Sequence, residues 1–277
     1  MSAAFGQRLA DAVAARGPLC VGIDPHAPLL EKWGLPDSAE GLARFTDTVV
    51  DALAGSVAVL KPQLAFYERH GSRGLAVLED AVVRARATGA LVLLDAKRGD
   101  IGSTMDGYAG YLRPDHPMAA DALTVSPYLG PGSLQPAVDT ARQHGGGLFV
   151  LARTSNPDAA TFQHAVLADG AGGRSVAQAV VDTVGRWNAE DAAPGPGSFG
   201  VVVGATLREL DVDLDGLGGP ILAPGLGAQG GSVADLRRLF GTGRAVVPTV
   251  SRDVLGAGPG VPALRAAADR WTAELTG

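Results

Sequence analysis

Two of this chain's three lysines close apolar runs, and acidic residues surround one of them. The runs are Val57-Ala-Val-Leu-Lys61 and Leu91-Val-Leu-Leu-Asp95-Ala-Lys97-Arg-Gly-Asp100-Ile101. The rest of the 23 basic side chains are arginine. Lysine therefore stands where a buried cation has to be able to release a proton. Arginine cannot do so near neutral pH, whereas a lysine pKa follows its surroundings. Residues two apart in a strand share a side, which predicts that Asp95 and Lys97 point the same way. Asp100 follows in the turn, and Lys61 comes from the adjacent strand. Two ammoniums and two carboxylates would then alternate in one small, partly dry site. The spacing alone fits a salt-bridge network on a rim equally well.

The elements that must hold these groups are legible as eight short apolar runs: Leu19–Asp24, Val57–Gln63, Ala90–Lys97, Ala122–Pro127, Gly147–Thr154, Phe199–Thr206, Pro220–Gly225 and Ala245–Ser251. Near-continuous apolar residues are expected of parallel strands covered on both faces. Amphipathic segments alternate with them. Ser38–Ala54 has Ser38 as an N-cap and Leu42, Phe45, Val49 and Leu53 on one stripe. Gly74–Thr88 stops at Gly89, and Ser175–Ala189, Gly231–Phe240 and Val261–Leu275 read the same way. Eight strand–helix units predict an α/β fold, a single (β/α)8 TIM barrel over residues 1–277, with a first helix near Ala4–Ala15 covering its floor. Ser155–Arg174 reads as an elaborated loop and Ala192–Ser198 as a connector into the sixth strand. A doubly wound open sheet is the alternative, but Asp24-Pro-His-Ala-Pro stands where its glycine-rich turn belongs.

In such a barrel the polar residues at strand C-termini meet at one mouth. Those ends supply Asp24, Lys61, Asp95, Lys97, Ser126, Ser155, Thr206, Gln229 and Arg252. The seventh strand runs into Ala223-Pro-Gly-Leu-Gly-Ala-Gln229-Gly-Gly231 and then a helix, and the eighth ends Val250-Ser-Arg252. Loops after strands seven and eight are the recurrent phosphate site of these barrels. Arg252 would add a charge-assisted contact there.

Composition narrows the partners. Hydrophobic residues make up 46% and charged ones 19%, and the net charge is −6. An acidic chain with a pI near 5.3 is not built for nucleic acid or an anionic membrane. A small anionic substrate remains compatible with a local basic site. The single cysteine, Cys20, lies in a strand-like run and reads as a packed thiol. Neither a signal segment nor a membrane-length apolar run is evident, and a reducing cytoplasm is expected. The five histidines are scattered, none at metal-ligand spacing.

Asp95-Ala-Lys97-Arg-Gly-Asp100-Ile101 with Thr104 resembles the signature of the orotidine 5′-phosphate decarboxylase family. Val21-Gly-Ile-Asp24-Pro25, Leu60-Lys61-Pro-Gln63, Thr154-Ser155-Asn-Pro157 and Ala223–Gly231 agree in order and spacing. The longer form, extended after strand five, resembles a bacterial branch that includes mycobacterial enzymes. The resemblance implies a homodimeric barrel that converts orotidine 5′-phosphate to UMP and carbon dioxide, the last step of de novo UMP synthesis, with no metal or organic cofactor. It implies Lys97 as proton donor to C6, Asp95 beside the departing carboxylate, and Lys61 positioning that network and the ribose. Asp100 would reach the neighbouring subunit's site, with Ile101 and Thr104 close behind. Asp24 would hold ribose hydroxyls and Ser155 the base. Pro224, Gln229, Ser251 and Arg252 would form the phosphate end, although many relatives have glycine where this chain has Ser251. Two other readings stay open: a magnesium-dependent sugar-phosphate decarboxylase or aldolase of the same superfamily, and a non-catalytic nucleotide-binding barrel.

Overall fold

Eight runs dominated by valine, leucine, isoleucine and alanine form the eight strands, because side chains on both of their faces are buried. The computed structural model describes residues 3–168, 173–191 and 195–277. The strands are β1 (Cys20–Ile23), β2 (Val59–Pro62), β3 (Leu91–Arg98), β4 (Ala122–Val125), β5 (Gly147–Arg153), β6 (Phe199–Val203), β7 (Ile221–Pro224) and β8 (Val246–Val250). All neighbours pair in parallel, and β1 meets β8 through Cys20 opposite Thr249 and Val21 opposite Val250, closing the barrel. The open-sheet alternative is excluded by that closure.

Two apolar layers hold the barrel. The outer layer lies between strands and helices and includes Phe45, Val49 and Leu53 from helix Ala39–Leu53. Ser38 caps that helix by accepting the Gly41 N–H. The inner layer fills the barrel with Cys20, Val59, Leu93, Phe149, Val202, Leu222 and Val247. Phe5 and Leu9 of helix Phe5–Arg16 join it from below, so the first helix does cover the floor. Phe5 meets Phe149 edge to face at 6.0 Å. Gly147 admits it: a Cβ there would stand 2.2 Å from the Phe5 ring.

A buried carboxylate fastens the same floor. Asp121, 3% exposed, accepts the Val92 N–H at 2.9 Å and the Arg8 guanidinium at 2.5 Å, with Arg86 Nε at 3.3 Å. It ties the first helix to β3 and β4. Asp121→Ala should cost about 1–3 kcal/mol in urea unfolding, chiefly through the unpaired Val92 N–H, since both arginines are partly exposed and can rehydrate. Asp121→Asn, which keeps an acceptor, should lose less.

The loop after β5 carries a short helix, Ala159–Gln163, and a bridge between Val166 and Ser175. Its glycine-rich residues 169–172, and residues 192–194 of the expected connector, lie outside the described residues. No helix among the described residues is long and apolar enough to cross a membrane.

Candidate active site

The C-terminal ends of the strands surround a cavity of about 250 Å³. Asp24, Lys61, Asp95, Lys97, Pro224, Gln229, Ser251 and Arg252 all line it, as expected. Asp100, Ile101, Thr104 and Ser155 do not. Asp24, Lys61, Asp95 and Lys97 come from the ends of β1 to β3 and Arg252 follows β8, while Leu151, Val202 and Leu222 of β5, β6 and β7 form an apolar wall.

Asp95 is the hub. Its Oδ2 accepts from Lys61 Nζ at 2.8 Å and Gln63 Nε2 at 3.0 Å. Its Oδ1 accepts from Lys97 Nζ at 2.5 Å and Thr124 Oγ1 at 2.8 Å. Burial alone would raise the Asp95 pKa, but Lys61 and Lys97 outweigh it and hold the carboxyl well below the usual range. Burial likewise opposes a charge on Lys61, and Asp95 with Asp24 more than reverses that, raising its pKa. Both groups are therefore ionised at neutral pH. Beneath them burial pushes the Cys20 thiol up to about 12, which leaves it an inert core residue.

The expected partly dry site is divided: the Lys61 side chain is 7% exposed and that of Lys97 45%. Lys97 does reach Asp95, as expected, but not by flat strand alternation. The pairing of β3 with β4 slips between Leu94 and Arg98, and Lys97 takes φ 48°. It is the one non-glycine in the left-handed region among the described residues. That conformation costs a non-glycine residue about 1–2 kcal/mol, and such strain gathers at functional sites.

Across the mouth, Pro224–Gly231 turns tightly: Gly231 N–H donates to the Gly225 carbonyl at 3.0 Å, and Gly225 has φ 114°. Asp253 accepts the Ala228 N–H at 3.0 Å. The following helix, Val233–Phe240, is not the free anion site expected of a helix start. Ser232 and Asp235 form a capping box there, so its first donors are already engaged and a carboxylate faces any incoming anion. Gln229, the loop backbone and Arg252 remain to contact a phosphate. Ser251 Oγ donates to Asp24 Oδ2 at 2.5 Å, and Asp24 Oδ1 is buried without a hydrogen-bond partner among the described residues. An acceptor so placed on the cavity wall suits a substrate hydroxyl.

Asp100 accepts its neighbour Ile101's N–H, and Ile101 and Thr104 are exposed. Ser155 is exposed beside Gly204, and the preceding Thr154 lines the cavity instead. Gln63, Thr124 and Thr249 are cavity residues to which sequence reasoning assigned no role. Gln63 did stand within a quoted motif; the two threonines look like ordinary strand formers.

A closed parallel barrel with a hydrogen-bonded Lys–Asp–Lys cluster at its C-terminal mouth defines a (β/α)8-barrel enzyme. Residues 17–267 match the family model described as Orotidine 5′-phosphate decarboxylase / HUMPS family. An orotidine 5′-phosphate decarboxylase of Streptomyces coelicolor is 61% identical over 274 residues, 98% of this chain and 96% of that protein. One of Salinispora arenicola is 60% identical over 272 residues, with the same coverage of 98% and 96%. A crystal structure from Streptomyces avermitilis, assigned as an orotidine 5′-phosphate decarboxylase, superposes with TM-score 0.94 at 58% identity, covering 99% of this chain and 95% of that one. The chain belongs to the orotidine 5′-phosphate decarboxylase / HUMPS family.

Proposed function

We propose that this chain converts orotidine 5′-phosphate to UMP and carbon dioxide, closing de novo UMP synthesis, with its own side chains as the whole catalytic apparatus. The observation that carries the reading is the Lys97 ammonium 2.5 Å from a carboxylate gripped by three further donors, in a cavity that also holds Arg252. Loss of carbon dioxide from C6 leaves an electron pair in the plane of the pyrimidine, where the π system cannot spread it. Fixed charge at that carbon has to stabilise it. Lys97 supplies the charge and then the proton, so C6 gains hydrogen as the C–C bond breaks. Asp95 pairs with Lys97 and stands beside the departing carboxylate; Lys61 holds Asp95. Asp24 takes ribose hydroxyls, and Gln229, Pro224, the Ser251 backbone and Arg252 the phosphate; Ser155, which lies outside the cavity lining, would meet the base only as the mouth closes. Closing of the Pro224–Gly231 loop would expel water and make remote phosphate binding count at C6.

The working unit of this reading is a homodimer in which Asp100, with Ile101 and Thr104, completes the partner's site. Support comes from the exposure of Ile101 and Thr104, from the absence of all three residues from their own cavity's lining, and from the half-open Lys97. Exposed Ile101, Tyr128, Leu129, Phe162 and Val166 lie on the segments after β3, β4 and β5. Tyr128 and Phe162 meet with ring centroids 5.2 Å apart, and exposed apolar groups of this kind suit a second copy. A reducing cytoplasm suits the free, buried Cys20.

The magnesium-dependent alternative is not favoured: relatives of that kind place a carboxylate near the end of strand two, where this chain has Lys61. Turnover of orotidine 5′-phosphate, followed by its loss of absorbance, should be unchanged after exhaustive chelation. Activity that disappears with chelator and returns with magnesium would overturn the proposal. UMP binding without any turnover would instead favour the non-catalytic reading.

A further inference from the structure

We infer that Thr124, on β4, is a positioning residue for this reaction, whose one hydroxyl fixes the Asp95 carboxylate and the Lys97 backbone together. The inference rests on the decarboxylation proposed above. Thr124 is 1% exposed and lines the cavity. Its Oγ1 donates to Asp95 Oδ1 at 2.8 Å and accepts the Lys97 N–H at 3.0 Å. A hydroxyl has a single hydrogen, and a carboxylate and an amide require opposite directions of it, so the pattern is fully determined.

The need for it lies in the backbone. Where β3 slips against β4, Lys97 adopts φ 48°. A residue turned out of the ladder there has an N–H that must find another acceptor. Thr124 is that acceptor, so it holds Lys97 in a conformation a lysine otherwise avoids. The same oxygen sets the Asp95 Oδ1 that Lys97 Nζ reaches. One atom thus fixes both the root of the catalytic side chain and the counter-ion at its tip. Lys61 and Gln63 cannot substitute, because they hold Oδ2.

The test compares Thr124→Val, which keeps the shape and loses the hydroxyl, with Thr124→Ser, which keeps the hydroxyl. With three lysines in the chain, [15N]lysine labelling reports three backbone amides. In Thr124→Val the Lys97 amide should shift and exchange faster with solvent. Its kcat should fall on the order of 10²-fold, the cost of a catalytic group displaced by about 1 Å. UMP affinity should stay within a few-fold of wild type, and Thr124→Ser should recover both amide and kcat. An unchanged Lys97 amide in Thr124→Val would overturn the inference. So would a loss of UMP binding that matches the loss of kcat, or a serine variant that rescues nothing. Wild-type enzyme inactive on orotidine 5′-phosphate would sink the proposed function alone, and the amide would still decide the role of Thr124.

Discussion

Lys97→Ala should lower kcat for orotidine 5′-phosphate by about 10⁴-fold or more, with UMP affinity within a few-fold of wild type. Two contributions vanish together: a fixed charge beside the developing carbanion, worth about 10²–10³ in rate, and a general acid, worth about 10²–10⁴. Nothing nearby replaces them, because Lys61 is committed to the far oxygen of Asp95. The cavity itself should survive. Asp95 keeps Lys61, Gln63 and Thr124 as donors, so its carboxylate stays ionised and in place. Nucleotide binding draws on the other end of the site, where Gln229 and Arg252 stand. Arg252→Ala should divide the other way, weakening UMP by about 10–100-fold as a charge-assisted contact is lost, with a much smaller change in kcat. Single-turnover absorbance and calorimetric titration of UMP separate the two quantities. Lys97→Ala losing product binding and rate in equal measure would refute this division.

The frame of this site was readable in the chain because parallel barrel strands are buried on both faces, and each becomes an apolar run ending in a polar residue. Of those polar ends, Asp24, Lys61, Asp95, Lys97, Gln229 and Arg252 line one cavity, whereas Ser126, Ser155 and Thr206 do not. Helices were visible only where they carry an apolar stripe. Helix Gln135–His144 buries Ala137, Val138, Thr140 and Ala141, and residues this small leave little periodic signal. Helix Gly102–Ala109 buries only Met105 and Ala109. The turn of Lys97 into the left-handed region was hidden for another reason: it follows from a register slip with β4, a relation between distant segments. Thr124 was unreadable on the same ground, since its partners are 27 and 29 residues away. The closed helix start is different. Ser232 and Asp235 stand at capping-box spacing in the sequence, so that anion site could have been discounted beforehand.

Asp95→Asn should both stop turnover and destabilise the fold, because it removes the one acceptor that four donors share. An amide presents one oxygen and an NH₂ group, so at least one side of the cluster faces donor to donor. Lys61, nearly buried, loses its closest counter-charge. Breaking a buried pair from one side costs about 3–5 kcal/mol, and the lower end applies here because Asp24 still favours the Lys61 charge. The exposed Lys97 pair adds little to that figure. In rate, the loss should be about 10²-fold or more, since Lys97 loses the partner that aims it. The pH dependence has a definite sign. The Asp95 pKa is lower folded than its ordinary 3.8, so its contribution is complete above that value and fades as acid takes the pH down through the folded one. The Lys61 pKa is higher folded than its ordinary 10.5, so its contribution is complete below that value and fades as alkali passes the folded one. Urea unfolding of wild type and variant should therefore show a constant stability gap through the neutral range that narrows in acid. A gap absent at neutral pH, or one that widens on acidification, would mean that Asp95 is not held as an ion between two ammoniums, and the chemistry assigned to Lys97 would lose its footing.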